Sequence, residues 1–282
     1  MNTHKKTCKL TDQEKIEIVQ KYKTKKYTYA QLGREYGITG ESISALIKRR
    51  DIKSEKLIYN KRKYTINENF FDIIDTEEKA YFLGLLYADG YNCTTRNIVR
   101  ITLKIEDEDI LNKFKKAIDT NKPLYLYNYS KKHPSWSNQY CLAINSNHMS
   151  KQLAKLGCIQ AKSLILEFPT EDQVPSHLIR HFIRGYFDGD GCIYIGKNGK
   201  YVVSTIDIIS SKNFCIKLKN ILENTLSFHI NLNAKENKIT HNCRILSKYN
   251  SIKFLDWLYN NSNIFLNRKY EKYILAKKLI IN

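Results

Sequence analysis

Four prolines and 11 glycines among 282 residues are too few for a fibrous chain or a flexible linker protein. Long apolar runs are also missing. The longest uncharged apolar stretch, around Tyr81 to Ala88, falls far short of the ~20 residues of a membrane span. The opening MNTHKKTCKL has basic residues but no apolar core or small-residue cleavage site, so no signal peptide is expected. Seven cysteines (8, 93, 141, 158, 192, 215 and 243) form no CxxC pair and are odd in number. They read as reduced, mostly buried thiols rather than a disulfide or zinc framework. A soluble, cytoplasmic or nucleoid-associated protein is the expectation that remains. Acidic residues are in deficit as well, 28 against 47 Lys plus Arg, which gives a net charge of +19. What the chain does have is apolar mass, 42% hydrophobic residues with 20 tyrosines, enough to fill the cores of two or three domains. The positive surplus calls for a polyanionic partner, most simply nucleic acid.

That surplus is uneven. Residues 1–70 hold 17 basic and 8 acidic residues, residues 71–170 carry only +2, and residues 171–282 carry +8. Within the first part, DIKSEKLIYNKRKYTI (51–66) is charged and lacks an apolar period, as a linker does.

Residues 10–50 contain three helix signatures. Thr11 with Glu14 and Thr28 with Gln31 make capping boxes, and Thr39 is placed to cap a third helix. Ile16, Ile18, Val19 and Tyr22 supply one apolar face, and Ile43, Leu46 and Ile47 another. Gly33 suits a helix crossing and Gly37 a left-handed turn. The segment resembles helix-turn-helix modules of the recombinase and repressor kind. In that geometry the third helix enters the major groove. Thr39, Glu41, Ser42, Ser44 and Lys48 would then reach base edges, with Arg49 and Arg50 at phosphates.

The remainder repeats itself. YFLGLLYADG (81–90) aligns with FIRGYFDGDG (182–191) at an offset of 101, ILNKFKKAI (110–118) with FCIKLKNIL (214–222) at 104, and CLAINSNHMSKQLAKL (141–156) with CRILSKYNSIKFLDWL (243–258) at 102. Each unit reads as a helix ending in Asp-Gly, strands, a helix, more strands and a helix. Strands are expected at 97–105, 124–130 and 139–145, then at 192–196, 201–209, 229–234 and 241–246, with a closing amphipathic helix over 268–279. The fold class is α+β: a small all-α module (1–50), a linker (51–66) and two pseudo-symmetric αββαββα repeats (67–170 and 171–282), each with an antiparallel sheet.

Gly84 and Ala88, like Gly185 and Gly189, put small residues four apart on each motif helix, which lets two backbones come close. Packed together, these helices would bring Asp89 and Asp190 side by side at their C-terminal ends. A carboxylate there is disfavoured by roughly 0.3–1 kcal/mol, and two repel further. A divalent cation in the gap removes the conflict, and Mg²⁺ suits hard oxygen ligands. Paired carboxylates, metal and a basic, sheet-rich surface are the components of metal-assisted phosphodiester hydrolysis.

These two motifs, FIRGYFDGDG above all, together with the late LYNNSNIFLNRKYEKY phrase, resemble the LAGLIDADG homing endonucleases in their single-chain, two-motif form. The resemblance covers roughly residues 67–282. It implies a monomer with an internal pseudo-dimer axis along the motif helices and a saddle of sheets on double-stranded DNA. Asp89 and Asp190, with the Gly90 and Gly191 that follow, would hold two or more divalent ions. Cleavage of both strands at a long, rare site would follow. Tyr87 departs from the family motif at a position that is not a metal ligand, and Asp188, its counterpart, reads as structural.

Lys104 and Lys248, near the ends of strands, fit by position as catalytic lysines that organise water and phosphate. Arg100, Thr102, Lys104, Tyr125, Tyr127 and Tyr129 alternate to one face as DNA contacts, with Arg244 as a counterpart in the second repeat. His177 and His181 imitate half a zinc site but lack a following Glu and a third ligand, and read as polar helix residues. With Met1 at the start and Ile281 before Asn282, no protein-splicing chemistry is visible, so a free-standing or intron-encoded enzyme is expected. The alternative to cleavage is a DNA-binding regulator or intron-splicing helper that keeps the fold.

Overall fold

The computed structural model describes residues 10–24, 26–49, 63–131, 133–235 and 239–281. The chain divides into two compact units, Met1–Lys63 and Tyr64–Asn282. Most of the expected linker, and Arg50, lie outside the described residues.

The first unit contains helices α1 (Asp12–Lys23), α2 (Tyr29–Glu35) and α3 (Gly40–Arg49). Both capping boxes are closed: the Thr11 and Thr28 hydroxyls accept from the backbones of Glu14 and Gln31, whose side chains return the bond. After α2 the chain turns through Gly37 at φ +65°, and Ile38 N donates back to Gly33 O at 2.8 Å, which closes the helix end. Ile18, Val19, Tyr22, Leu32, Ile43 and Ile47 form the core. Ile16, expected inside, is 41% exposed, because its neighbours Ile18, Val19 and Tyr22 already fill the buried face of α1.

The second unit carries the same succession twice. The first repeat runs α4 (Glu77–Asp89), β1 (Gly90–Cys93), β2 (Ile98–Lys104), α5 (Glu108–Ala117), β3 (Tyr125–Tyr127), β4 (Gln139–Asn145) and α6 (Asn147–Lys155). The second runs α7 (Ile179–Asp190), β5 (Gly191–Asn198), β6 (Tyr201–Ser211), α8 (Lys212–Leu226), β7 (Asn231–Ala234), β8 (Thr240–Ile245) and α9 (Lys248–Tyr259), and α10 (Asn267–Ile281) closes the chain. The sheets have orders β1-β2-β4-β3 and β5-β6-β8-β7, antiparallel throughout. One apolar cluster joins both repeats.

The alternation of β2 explains its two faces. Val99, Ile101 and Leu103 are buried, whereas Arg100 and Thr102 are partly exposed and Lys104 is exposed. β3 is shorter than expected. The chain leaves it after Tyr127 into a 3-10 turn, Tyr129–Lys131, so Tyr129 is off the strand, with its ring stacked on Tyr127 at 5.7 Å.

Arg184 and Asp188 of α7 are fully buried, and each is satisfied by hydrogen bonds. Asp188 accepts from Tyr81 Oη (2.8 Å), Tyr259 Oη (2.5 Å) and Leu266 N (2.7 Å). Arg184 donates to the Ile264 and Leu258 carbonyls and to Glu77 Oε1 at 2.6 Å across the repeats. His181 joins this group: burial and the neighbouring arginine push it down to about 4, and its neutral Nδ1 accepts from Arg184 Nη2 at 3.0 Å. These contacts tie the second motif helix to α4 and α9.

Candidate active site

Helices α4 and α7 meet backbone to backbone. A Cβ on Gly84 would lie 2.0 Å from Phe182 O, and one on Gly185 would lie 1.9 Å from Tyr81 O, so only glycine allows this approach. One turn on, a Cβ on Gly189 would meet Ala88 Cβ at 2.4 Å and Asp89 Oδ2 at 2.8 Å. Asp89 therefore lies against the opposite helix. Each helix ends at its aspartate, and the next residue, Gly90 or Gly191, is extended and opens a strand.

The carboxylates carry the electrostatic strain expected of that position. Burial, then the Asp190 charge, pushes Asp89 up to about 6. Burial also raises Asp190, against the opposing pull of Lys162 and Lys269 and a hydrogen bond from Tyr186. By surface area both residues still reach solvent, so the pair sits at a mouth, not in a sealed core.

Two buried lysines complete the site. Lys162 Nζ donates to the carbonyl of Gly90, and Lys269 Nζ to that of Gly191. Each repeat thus sets an ammonium on the peptide that follows its motif aspartate. Burial brings Lys269 down to about 8. A cavity of about 340 Å³ opens beside Lys162, lined also by Tyr87, Ala88, Tyr186, Asp190 and Thr240 among others.

Sequence reasoning missed both lysines. Their separation is 107 residues, whereas the preceding helices align at 102, so a rigid offset does not pair them. Of the two lysines it proposed, Lys248 is the one that stands away from the carboxylates. Lys104 is on the open face of the first sheet, in a row with Gln139 and Tyr127. β8 starts at Thr240, in the cavity with Asp190, and runs away from it, and Lys248 follows its far end as the first residue of α9. Its ammonium lies 5.0 Å from the Tyr249 ring centre. The leading positive charges on the carboxylates are Arg268 and Lys162 at Asp89, and Lys162 and Lys269 at Asp190.

The open sheet faces hold most of the other candidates. Arg100 lies over the Tyr91 ring at 4.8 Å, and Thr102 shares a row with Cys141 and Tyr125. Arg244 has a partner the sequence did not disclose: its Nε donates to Asp207 Oδ1 at 2.6 Å, across the β6–β8 pair. In the first unit, Thr39 Oγ1 caps α3 by accepting from Ser42 N at 3.2 Å, which leaves it less available to a ligand. Glu41, Ser42, Lys48 and Arg49 are exposed and Ser44 is half-buried.

Residues 177–258, which include the second motif, match the family model of a LAGLIDADG-like domain. The fold of the chain is similar to that of LAGLIDADG homing endonucleases. The homing endonuclease I-WcaI, solved bound to its DNA recognition sequence, is similar over 78% of this chain and 93% of its own, with a TM-score of 0.53 at 16% identity. The LAGLIDADG homing endonuclease I-GzeII, solved with a DNA target, is similar over 71% and 88%, with a TM-score of 0.50 at 12% identity. An uncharacterised protein of Methanocaldococcus jannaschii is 27% identical over 160 residues, 56% of this chain. The match spans 55% of that relative's length. Among the described residues, no helix is long and apolar enough to cross a membrane.

The two carboxylates have the chemistry of divalent-cation ligands, and among the described residues no third His, Cys, Asp or Glu joins them. An ion of the Mg²⁺ kind takes one or two carboxylates and fills its shell with water and phosphate oxygens. The Gly90 and Gly191 carbonyls already accept from lysines, and each keeps a second lone pair.

Proposed function

We propose that the chain is a site-specific DNA endonuclease that hydrolyses one phosphodiester in each strand of a long target with the help of divalent metal, Mg²⁺ by preference. The observation that carries this reading is the pair of carboxylates at two abutting glycine-packed helix ends, with an ammonium set on the peptide after each. The chain's charge of +19 supplies the attraction to DNA. Arg100, Thr102, Lys104, Tyr125, Tyr127 and Arg244 lie on the strands that would face the duplex, and Tyr129 follows just beyond β3.

Asp89 and Asp190, with the spare lone pairs of the Gly90 and Gly191 carbonyls, would hold the cation, which would supply charge neutralisation at the scissile phosphate and a more acidic attacking water. The chain's own groups do the rest. Lys162 and Lys269 fix the carbonyls after the aspartates and place positive charge where the phosphate gains negative charge in the transition state. Near-neutral pKa suits Lys269 to a proton-transfer role at its Nζ.

The test is a plasmid library carrying randomised or genomic inserts, incubated with the protein and Mg²⁺ or EDTA. Linear product only with metal supports the reading. Tight, salt-sensitive binding without cutting at any metal concentration overturns it in favour of a non-cleaving DNA-binding protein. On a cleaved target, Lys162→Met and Lys269→Met are each expected to keep binding and slow cleavage by about 10²-fold, measured in single turnover.

The first unit extends the contact in the same reading, through Glu41, Ser42 and Ser44 toward bases and Lys48 and Arg49 toward phosphates. A chain lacking residues 1–63 is expected to bind about 10–100-fold more weakly, with a shorter footprint and a salt dependence reduced by about two phosphates. Footprinting and a salt titration of affinity check this. An unchanged footprint reassigns the unit to protein contacts.

A further inference from the structure

Beside the carboxylates, the second repeat reaches into the first through the opening turn of α10. Asn267 Nδ2 donates to Asp109 at 3.0 Å, and Arg268 Nε donates to both carboxylate oxygens of Asp107, at 3.0 and 3.1 Å. The next residue is Lys269, bonded to Gly191. Asp107 and Asp109 belong to the first repeat, so these bonds cross the pseudo-dimer.

The duplication provides an internal comparison. At the 104-residue offset that aligns α5 with α8, Asp107 corresponds to Ser211, and each stands just before its helix. Ser211 acts as an ordinary cap, its Oγ accepting from Phe214 N at 3.2 Å. Aspartate caps equally well, yet Asp107 makes no such bond. Its carboxylate, in a residue only 2% exposed, is turned to Arg268 instead. The other partner is equally one-sided: Lys269 corresponds to Lys162, and the residue before Lys162 is Ala161. One repeat gives up a cap, the other gains an arginine, and the site acquires a basic group on one side alone.

That arginine is only partly used by its partner. Nε serves Asp107, whereas Nη1 and Nη2 make no hydrogen bond among the described residues, and the side chain is 42% exposed. A planar guanidinium with its outer edge open is suited to two oxygens of one phosphate. Through its neighbour Lys269, bonded to the Gly191 carbonyl, it stands beside the motif residues.

We propose that Arg268, aimed by Asp107, grips one of the two scissile phosphates, so the two strands are cut by unequal sets of residues. This rests on the endonuclease reading. Arg268 touches the substrate, and Asp107 is a positioning residue that acts through it.

The experiment starts from a target cut by the wild-type chain, which maps both scissile phosphates. Targets carrying one neutral methylphosphonate at either position are then bound in EDTA. Neutralising the phosphate of one strand is expected to weaken wild-type binding about 10-fold more than neutralising the other, and Arg268→Gln should bind the two alike. With Mg²⁺, Arg268→Gln and Asp107→Asn are expected to cut that same strand about 10²-fold more slowly and the other near the wild-type rate, which accumulates nicked circles. Arg268→Lys leaves Asp107 paired to a cation but removes the fork, and should show the same strand bias even where Asp107→Asn fails to fold. Equal slowing of both strands by Arg268→Gln, or a methylphosphonate difference that survives in it, overturns the proposal while leaving the endonuclease reading intact. A wild-type chain that binds its target and cuts neither strand overturns both.

Discussion

Gly185→Ala is expected to force α4 and α7 apart and to destabilise residues 64–282 by about 3–5 kcal/mol. The added methyl would lie 1.9 Å from Tyr81 O and 2.9 Å from Leu85 N, and both are backbone atoms of the opposing helix. No rotamer change relieves a clash with backbone, so the two helices must separate. Around that contact stand Tyr81, Asp188, Arg184 and Glu77, whose hydrogen bonds cross the same interface and would lengthen together. A buried charge that loses its partner costs more than the pair contributes. Gly189→Ala makes the instructive contrast. Its methyl would meet Asp89 Oδ2, which a side-chain rotation moves, and Ala88 Cβ, which a small shift at the last turn of the two helices clears. That variant is expected to lose about 1–2 kcal/mol and to stay folded, yet to displace Asp89 and lower cleavage by about 10²-fold. Urea denaturation followed by tyrosine and tryptophan fluorescence, run alongside the cleavage assay, separates the two. Equal stability losses at the two positions would show that the contact yields as a whole and that backbone proximity does not set the cost.

Those glycines were also the part of the fold most legible in the sequence. A four-residue spacing of small side chains, repeated at a fixed offset, has one economical explanation, and the helices do meet along it. The strands of each repeat could be read from alternation, because one face of each sheet is buried and the other is open. β1 escaped notice because four residues starting at a glycine are too few to alternate. Tyr129 was misplaced on β3 because tyrosine recurs at every second position through a turn that is no longer a strand. The lysines of the site were hidden for a different reason. What brings Lys162 and Lys269 to the glycine carbonyls is the packing of segments that follow the third helix of each repeat, and those connections differ in length. Periodicity within an element says nothing about where a loop returns. Asp207 was passed over because one acid in an otherwise uncharged strand carries no pattern, yet it bonds Arg244.

Asp89→Asn is expected to abolish cleavage and, in the absence of metal, to raise the melting temperature of the larger unit at pH 7.5. The sign follows from the direction of the shift. The folded chain holds the Asp89 proton up to about pH 6, whereas an unperturbed aspartate releases it near 4. Protonation therefore favours the fold, a contribution that is fully present below about pH 4 and is lost as pH rises through 6. Above that, an ionised Asp89 stands beside Asp190 at a helix C-terminus, and asparagine removes the conflict without changing the shape. Both carboxylates reach solvent, which keeps the gain small, about 2–4 °C at pH 7.5 and near zero at pH 4. Cleavage should fall by at least about 10³-fold, because a cation loses a charged ligand that no neighbour replaces. Asp190→Asn should behave alike in direction, since burial raises that group too. Scanning calorimetry at the two pH values, with EDTA and then with Mg²⁺, checks the argument. Added metal should stabilise the wild type and not the variants, because only the ionised pair binds it. An Asp89→Asn chain that melts lower than the wild type at pH 7.5 in EDTA would show that the carboxylate holds the fold together. The site would then be structural, and stability and chemistry would not be opposed there.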